Sequence, residues 1–193
     1  LCYSGDILPS LLSMAPEHVI YMGSFSKVLA PGLRLGFVIA PEELHGKLVQ
    51  AKQAADLHTP SFSQRIVYEA VQDGFLDAHI PTIRTLYAHQ CELMLDALDR
   101  YFPAEASWNK PEGGMFIWVN LPKGVDSAKL LAKAIEQNVA FVPGAPFYAV
   151  DPVPNTLRLS FVTVPQDKIE IGMQKLGALL KAEIAGLSAT AAA

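Results

Sequence analysis

The run from Gly23 to Phe37 contains a lysine and constrains this sequence more than any other feature. Apolar residues dominate on both of its sides, which predicts a buried strand over residues 19–24 and a second strand over residues 33–40. A short loop between two neighbouring strands brings its polar side chains to one end of the pair. We therefore expect the side chains of this loop to form a common site.

The polar side chains of this run suit a ligand that carries both an aldehyde and a phosphate. The amine of Lys27 can condense with an aldehyde. The hydroxyls of Ser24 and Ser26 and the planar guanidinium of Arg34 can bind phosphate oxygens. Taken singly, a lysine after a strand is more often a solvated loop residue, and loop serines often bond their own backbone. That alternative remains open at the level of single residues.

Composition and charge exclude several classes of protein. The 193 residues are 51% hydrophobic and 18% charged, which is ordinary for a globular protein. A net charge of −4 offers no basic surface for nucleic acid. No apolar run reaches the roughly 18–20 residues that span a bilayer, and no signal peptide is visible. Cys2 and Cys91 share no metal or redox spacing, so we expect free thiols, no metal site and a cytoplasmic location.

Hydrophobic periodicity divides the rest of the chain into helices and short strands. Helices are predicted over residues 41–58 and 64–72, from residue 75 or 80 to residue 101, and over residues 127–138 and 166–184. Strands are predicted over residues 115–120, 140–143 and 156–162. In the last of these, alternation places Leu157, Leu159 and Phe161 on one face, with Arg158 and Ser160 on the other. From these residues alone, Arg158 is most simply an edge-strand arginine paired with a surface acid.

Four segments together resemble those of a known enzyme family. They are Gly23–Phe37, Pro111–Pro122 (PEGGMFIWVNLP), Phe141–Phe147 (FVPGAPF) and Asn155–Phe161 (NTLRLSF). In this order and at these separations they resemble the class I/II aminotransferases, which are pyridoxal-phosphate enzymes of fold type I. The spacing of seven between Lys27 and Arg34 is most similar to the aminoadipate, kynurenine and aromatic aminotransferase branch.

The resemblance implies an α/β fold, with part of the fold-type I large domain and the complete α+β small domain. The large-domain part covers residues 1–75, a long connecting helix residues 76–104, the small domain residues 105–185 and a frayed tail residues 186–193. The family's residues that contact the cofactor ring precede Leu1. The chain therefore resembles the C-terminal half of such an enzyme, and we expect it to lack a complete active site.

The resemblance also implies a function and a role for each site residue. A transaminase of this family moves an amino group between an amino acid and a 2-oxo acid, with pyridoxal 5′-phosphate held as an aldimine on Lys27. Ser24, Ser26 and Arg34 would bind the cofactor phosphate, and Arg158 the α-carboxylate of the substrate. The expected assembly is a homodimer active in amino acid metabolism and biosynthesis, without nucleic acid or membrane partners.

Two other functions fit the same residues. The effector domain of a MocR-type transcription regulator has the same aminotransferase-like fold behind a DNA-binding module, and Lys27, Arg34 and Arg158 would suit it as well. A winged helix upstream of these residues would distinguish the two. The third interpretation is a non-catalytic dimerisation fragment, which bound cofactor absorbance would exclude.

Overall fold

The chain forms two compact units in the computed structural model, which describes residues 1–191. One unit comprises Asp6–Ile83. The other comprises Leu1–Gly5 together with the described residues from Arg84 to Ala191.

The unit over Asp6–Ile83 is built around a two-stranded antiparallel sheet. Its elements are α1 (Leu11–Met14), β1 (Tyr21–Ser24), β2 (Gly36–Ile39), α2 (Glu42–Asp56), α3 (Ser61–Val71) and the start of α4 (Phe75–Tyr101). Tyr21 pairs with Ile39 and Ser24 with Gly36. The prediction that the first strand is buried is wrong for the described residues. Met22 of this strand is 75% exposed, and Val38 of the paired strand β2 is 51% exposed.

The second unit packs three helices around a four-stranded antiparallel sheet. The strands are β3 (Ser107–Trp108), β4 (Phe116–Asn120), β5 (Val142–Pro143) and β6 (Thr156–Ser160), in the spatial order β3-β4-β6-β5. The helices are the later part of α4, α5 (Ser127–Glu136) and α6 (Gln166–Ala191). Asp126 caps α5 by accepting hydrogen bonds from the backbone N–H groups of Ala128 and Lys129.

The core of this unit follows the alternation of the strands. One face of the sheet carries side chains that are fully buried: Ile117, Val119, Leu157 and Phe161. The helices cover that face with the buried residues Met94, Ala97, Leu98, Leu130, Leu176 and Leu180. The opposite face carries Arg158, as the sequence predicted. Because the core covers one face of the sheet, only the opposite face, which carries Arg158, can bind a ligand.

The first residues of the chain complete the second unit. Cys2 forms an antiparallel bridge with Gly113, and the backbone N–H of Gly114 donates to the carbonyl of Leu1 at 2.7 Å. A Cβ atom at Gly113 would collide with that same carbonyl. Gly114 has a φ of 82°, a left-handed conformation that glycine adopts without strain. The glycine pair before β4 is thus explained by a close backbone approach and a positive φ.

The predicted helices and strands are found with shifted ends. The strands are each shorter than predicted, and α3 begins at Ser61 rather than Gln64. The larger correction concerns the last helix, which was expected to end at Ile184 and to be followed by a frayed tail. It continues to Ala191, with the hydroxyl of Ser188 donating to the carbonyl of Ile184 one turn earlier, and the last two residues lie outside the described residues. Among the described helices, none combines the length and hydropathy needed to cross a membrane.

Helix α6 contacts the end of α4 at a glycine, which gives a test of the packing. A Cβ atom at Gly177 would lie 2.5 Å from the carbonyl oxygen of Tyr101. Backbone cannot yield as a flexible side chain can, so Gly177→Ala should destabilise the protein by about 1–3 kcal/mol. Urea unfolding measures this change.

A second glycine of the same helix is the matched control. A Cβ atom at Gly172 would meet nothing within 4 Å. Because only helix propensity changes there, Gly172→Ala should stabilise the protein by about 0.5–1 kcal/mol. Equal effects of the two substitutions would contradict the close approach of α6 to Tyr101.

Candidate functional site

The loop between β1 and β2 holds the lysine. The backbone N–H of Phe25 donates to the carbonyl of Leu35 at 3.1 Å, which closes the loop at its base. The N–H of Leu29 donates to the carbonyl of Phe25 at 2.9 Å and forms a turn around Lys27. Lys27 is exposed. The loop therefore has a defined backbone and leaves the amine accessible.

Ser24 and Ser26 form a local turn at the start of the loop. The backbone N–H of Ser26 donates to Oγ of Ser24 at 3.1 Å. This is the bond to neighbouring backbone that is common for loop serines. It uses Ser24 Oγ as an acceptor, so the hydroxyl proton is still able to donate to an anion.

Arg34 lies at the end of the loop in a left-handed backbone conformation. It follows a short 3₁₀ turn over Pro31–Leu33 and has φ 50° and ψ 41°. A non-glycine residue in this region carries strain of about 1–3 kcal/mol, and such strain clusters at functional sites. Its Nη1 donates to the carbonyl of Pro31 at 3.3 Å. That bond occupies one of five guanidinium donors.

The loop is rich in hydrogen-bond donors and lacks an acidic counterpart. No ion pair of Lys27 or Arg34 with a carboxylate occurs within residues 1–191. An amine, a guanidinium and two hydroxyls in one loop can bind an anion such as a phosphate. The predicted site residues Ser24, Ser26, Lys27 and Arg34 are thus brought into one loop.

Arg158 lies in the other unit, between two aromatic rings. Its guanidinium carbon is 3.9 Å from the ring centroid of Phe116 and 4.7 Å from that of Phe147. Both are cation–π contacts. Its Nε is buried and has no hydrogen-bond partner among the described residues. Rings that cover the guanidinium leave its edge as the direction in which an anion can bind.

A cavity of about 220 Å³ adjoins Arg158. It is lined by Phe116, Ala140, Phe141, Val142, Arg158, Ser160, Thr163 and Val164. No carboxylate of the described chain is within ion-pair distance of Arg158. The simple interpretation of Arg158 as half of a surface ion pair is therefore wrong.

The sequence missed the aromatic residues around Arg158. The apolar composition of residues 115–120 suggests core positions for Phe116 and Trp118 as well, whereas the buried residues of β4 are Ile117 and Val119. Strict alternation along β4 would have placed Phe116 and Trp118 on the face of Arg158, because Trp118 pairs with Arg158 across the ladder. The alternation of side chains along β4 therefore indicates the correct face for Phe116 and Trp118, although their aromatic character suggests core residues.

The sequence of this chain is similar to those of known aminotransferases and of a transcriptional regulator. The family model of aminotransferases of class I and II matches residues 3–176. The 2-aminoadipate transaminase of Thermus thermophilus is 48% identical over 188 residues, which are 95% of this chain and 47% of that protein. An uncharacterized HTH-type transcriptional regulator of Bacillus subtilis, YdfD, is 32% identical over 164 residues, 85% of this chain and 34% of the regulator.

A solved structure extends the match to three dimensions. The α-aminoadipate aminotransferase LysN from Thermus thermophilus, in complex with N-(5′-phosphopyridoxyl)-L-leucine, superposes with a TM-score of 0.91 at 47% identity. The match covers 96% of this chain and 48% of LysN, so the chain spans about half the length of these relatives. These matches confirm the α/β fold of fold type I and the predicted resemblance. The chain belongs to the family of class I and II aminotransferases.

Proposed function

We propose that the protein containing this chain is a transaminase that moves an amino group between an amino acid and a 2-oxo acid. The observation that carries the proposal is the loop between β1 and β2. It presents the Lys27 amine, the Arg34 guanidinium and the hydroxyls of Ser24 and Ser26 without an acidic partner. Family membership supports the same chemistry.

Pyridoxal 5′-phosphate is the cofactor that the family and the phosphopyridoxyl compound in LysN indicate. The donors of the loop fit its phosphate, since Arg34 has free donors for a bidentate contact and Ser24 keeps a hydroxyl proton. When bound, the cofactor supplies an electron sink for the substrate α-carbon. The protein supplies binding, orientation and proton transfer.

Lys27 is the residue that we assign to catalysis. Its exposed amine can bond the cofactor aldehyde and, once released, carry a proton to and from the substrate α-carbon. Arg34, Ser24 and Ser26 would hold the phosphate and so fix the cofactor beside this amine. The strained backbone of Arg34 supports a functional rather than incidental position.

Arg158 is the residue that we assign to the substrate carboxylate. Its unpartnered Nε and the cavity beside it support an anion that binds at the guanidinium edge. A carboxylate matches this edge with two parallel hydrogen bonds. Because the amino donor and the 2-oxo acid acceptor both carry such a group, one arginine serves both halves of the reaction.

The assignment of domains and assembly belongs to the same proposal. We assign residues 1–75 to the large domain, 76–104 to the connecting helix and 105–185 to the small domain of a cytoplasmic homodimer. Leu1–Gly5 depart from this division, because they pack with the unit that contains the small domain. The exposed apolar side chains of β1 and β2 support coverage by further protein in the complete molecule. The biosynthetic role is inferred from the family alone.

The complete protein, loaded with pyridoxal phosphate, provides the test of the transaminase proposal. It should convert L-2-aminoadipate or one of the standard L-amino acids to the 2-oxo acid, with loss of the cofactor's aldehyde absorbance. Product analysis for the 2-oxo acid excludes decarboxylation and β-lysis. Cofactor binding without turnover of any amino acid would contradict the proposal.

A transcription regulator is the second candidate, supported by the match to YdfD. The greater identity to the transaminase favours the enzyme. A winged-helix module in the complete protein, with specific binding to a promoter fragment, would favour the regulator. A dimerisation fragment without catalysis would bind no cofactor at all.

Arg34 should contribute more to cofactor retention than Ser26. Hydrogen bonds to charged groups contribute about 1.5–3 kcal/mol, against about 1 kcal/mol for neutral ones. Arg34→Ala should therefore weaken pyridoxal-phosphate binding by roughly 10- to 150-fold and Ser26→Ala by about 5-fold. Equilibrium dialysis of the complete protein measures both. Equal retention in wild type and Arg34→Ala would show that this guanidinium does not bind the phosphate.

A further inference from the structure

One wall of the Arg158 cavity is an irregular segment between β6 and α6. Thr163 and Val164 of this segment line the cavity. The buried ring of Phe161 anchors the segment at its start, and the N–H of Lys168 donates to the carbonyl of Pro165 at its end. Between these points no strand ladder or helix fixes the backbone. The position of this wall therefore depends on individual contacts.

Gln90 of α4 makes such a contact. Its Nε2 donates to the carbonyl of Val164 at 3.2 Å, across a sequence separation of 74 residues. Gln90 is 5% exposed, so water does not compete strongly for this bond. Thr163 adds a weaker hydrogen bond of 3.4 Å to Ser160 within the same stretch of chain. Gln90 thus ties the irregular wall to a long, regular helix.

The burial of Gln90 has a cost that packing alone does not explain. Its Oε1 is buried and has no hydrogen-bond partner among the described residues. A buried acceptor without a donor destabilises a protein, and an apolar side chain of similar volume would avoid that cost. The neighbours of Gln90 on the buried face of α4 are apolar, among them Met94 and Leu98. Core stability therefore does not explain why a glutamine occupies this position on the buried face of α4.

We infer that Gln90 is a positioning residue for the Arg158 cavity. Its bond to the Val164 carbonyl holds the Thr163–Val164 wall of this cavity and so fixes the width of the space beside Arg158 in which a carboxylate binds. The inference rests on the proposed role of Arg158 in substrate binding. Gln90 is buried and is not among the residues that line this cavity, so its effect passes through Val164.

Gln90→Met tests the inference because it keeps the volume and removes both the donor and the unpaired oxygen. In the complete enzyme loaded with pyridoxal phosphate, KM for the best amino donor and for the 2-oxo acid should rise by about 3- to 10-fold, the range of one lost hydrogen bond. The value of kcat should change by less than about 2-fold, since the Lys27 loop is untouched. The melting temperature should stay equal or rise.

Met94→Leu is the matched control, since Met94 is a similarly buried residue of the same helix with an apolar side chain that has no donor for the Val164 carbonyl. It should leave KM unchanged. If Gln90→Met does not fold, Gln90→Leu gives the same comparison. An unchanged KM, with or without a lower melting temperature, would overturn the inference.

Arg158→Ala, measured in parallel, distinguishes a failure of the positioning role of Gln90 from a failure of the carboxylate-binding role of Arg158. A large effect of Arg158→Ala with none of Gln90→Met would overturn only the positioning role. No effect of Arg158→Ala on KM would overturn the proposed carboxylate site, and the role of Gln90 with it. A rise in KM with both substitutions supports both.

Discussion

Replacing Lys27 by alanine should lower the turnover of the complete enzyme by about 10²–10⁴-fold, the range that a positioned acid–base group contributes. Lys27 is exposed in its loop, so its loss should not unfold the protein. Steady-state rates with the best amino donor measure the effect. Borohydride reduction followed by peptide mapping should place a pyridoxyl group on Lys27 in the unsubstituted protein.

Lys47 is a suitable control for the Lys27 experiment. It is another exposed lysine of the same unit, on α2, and its amine donates to Oε1 of Gln50 at 3.5 Å. Lys47→Ala should leave turnover and labelling unchanged. A pyridoxyl label on any other lysine, with Lys27 unmodified, would refute the assignment of the catalytic amine.

Removing the Arg158 guanidinium should lower kcat/KM for both half-reactions. Truncating one partner of a buried charge pair costs about 2–5 kcal/mol, which is roughly 30- to 5,000-fold in kcat/KM. Arg158→Lys should recover little, because an ammonium cannot donate two parallel hydrogen bonds or stack as a plane between Phe116 and Phe147. The absorbance of the bound cofactor should be normal in both variants.

Arg100→Ala is the control for the Arg158 experiment. Arg100 belongs to the same unit but pairs with Glu170 at the surface at 2.7 Å. Its loss should leave kcat/KM unchanged. If Arg158→Ala abolished the cofactor absorbance and left kcat/KM for amino acids intact, the roles assigned to Arg34 and Arg158 would be wrong.

Local patterns predicted the parts of the site that are close in sequence. Lys27 and Arg34 are seven residues apart, and a loop closed at Phe25 and Leu35 must keep them together. The alternation of β6 likewise placed Arg158 opposite Leu157 and Leu159, since side chains of a strand alternate between faces. The periodicity of α4 predicted its helix through to Tyr101.

Local patterns did not predict the contacts between residues that are far apart in sequence. Phe147 stacks on Arg158 from a different element, and Gln90 bonds Val164 across 74 residues. Such pairs depend on how helices and strands pack, which no local period encodes. The exposure of β1 and β2 was not predicted either. An apolar composition indicates that a strand is to be buried, but it does not identify the element that covers it.

The sequence by itself determined most of the longer helices and strands, the face on which Arg158 lies and the donor-rich loop of Lys27, but not the short α1 and β3. These follow from residue periodicity and from chemistry within a few neighbouring residues. Only the tertiary structure decided that Phe116 and Phe147 stack on Arg158, that its Nε is unpartnered and that Gln90 is tied to the cavity wall. The physical reason is that these features arise where separate elements meet, and burial there depends on every side chain that packs at the contact.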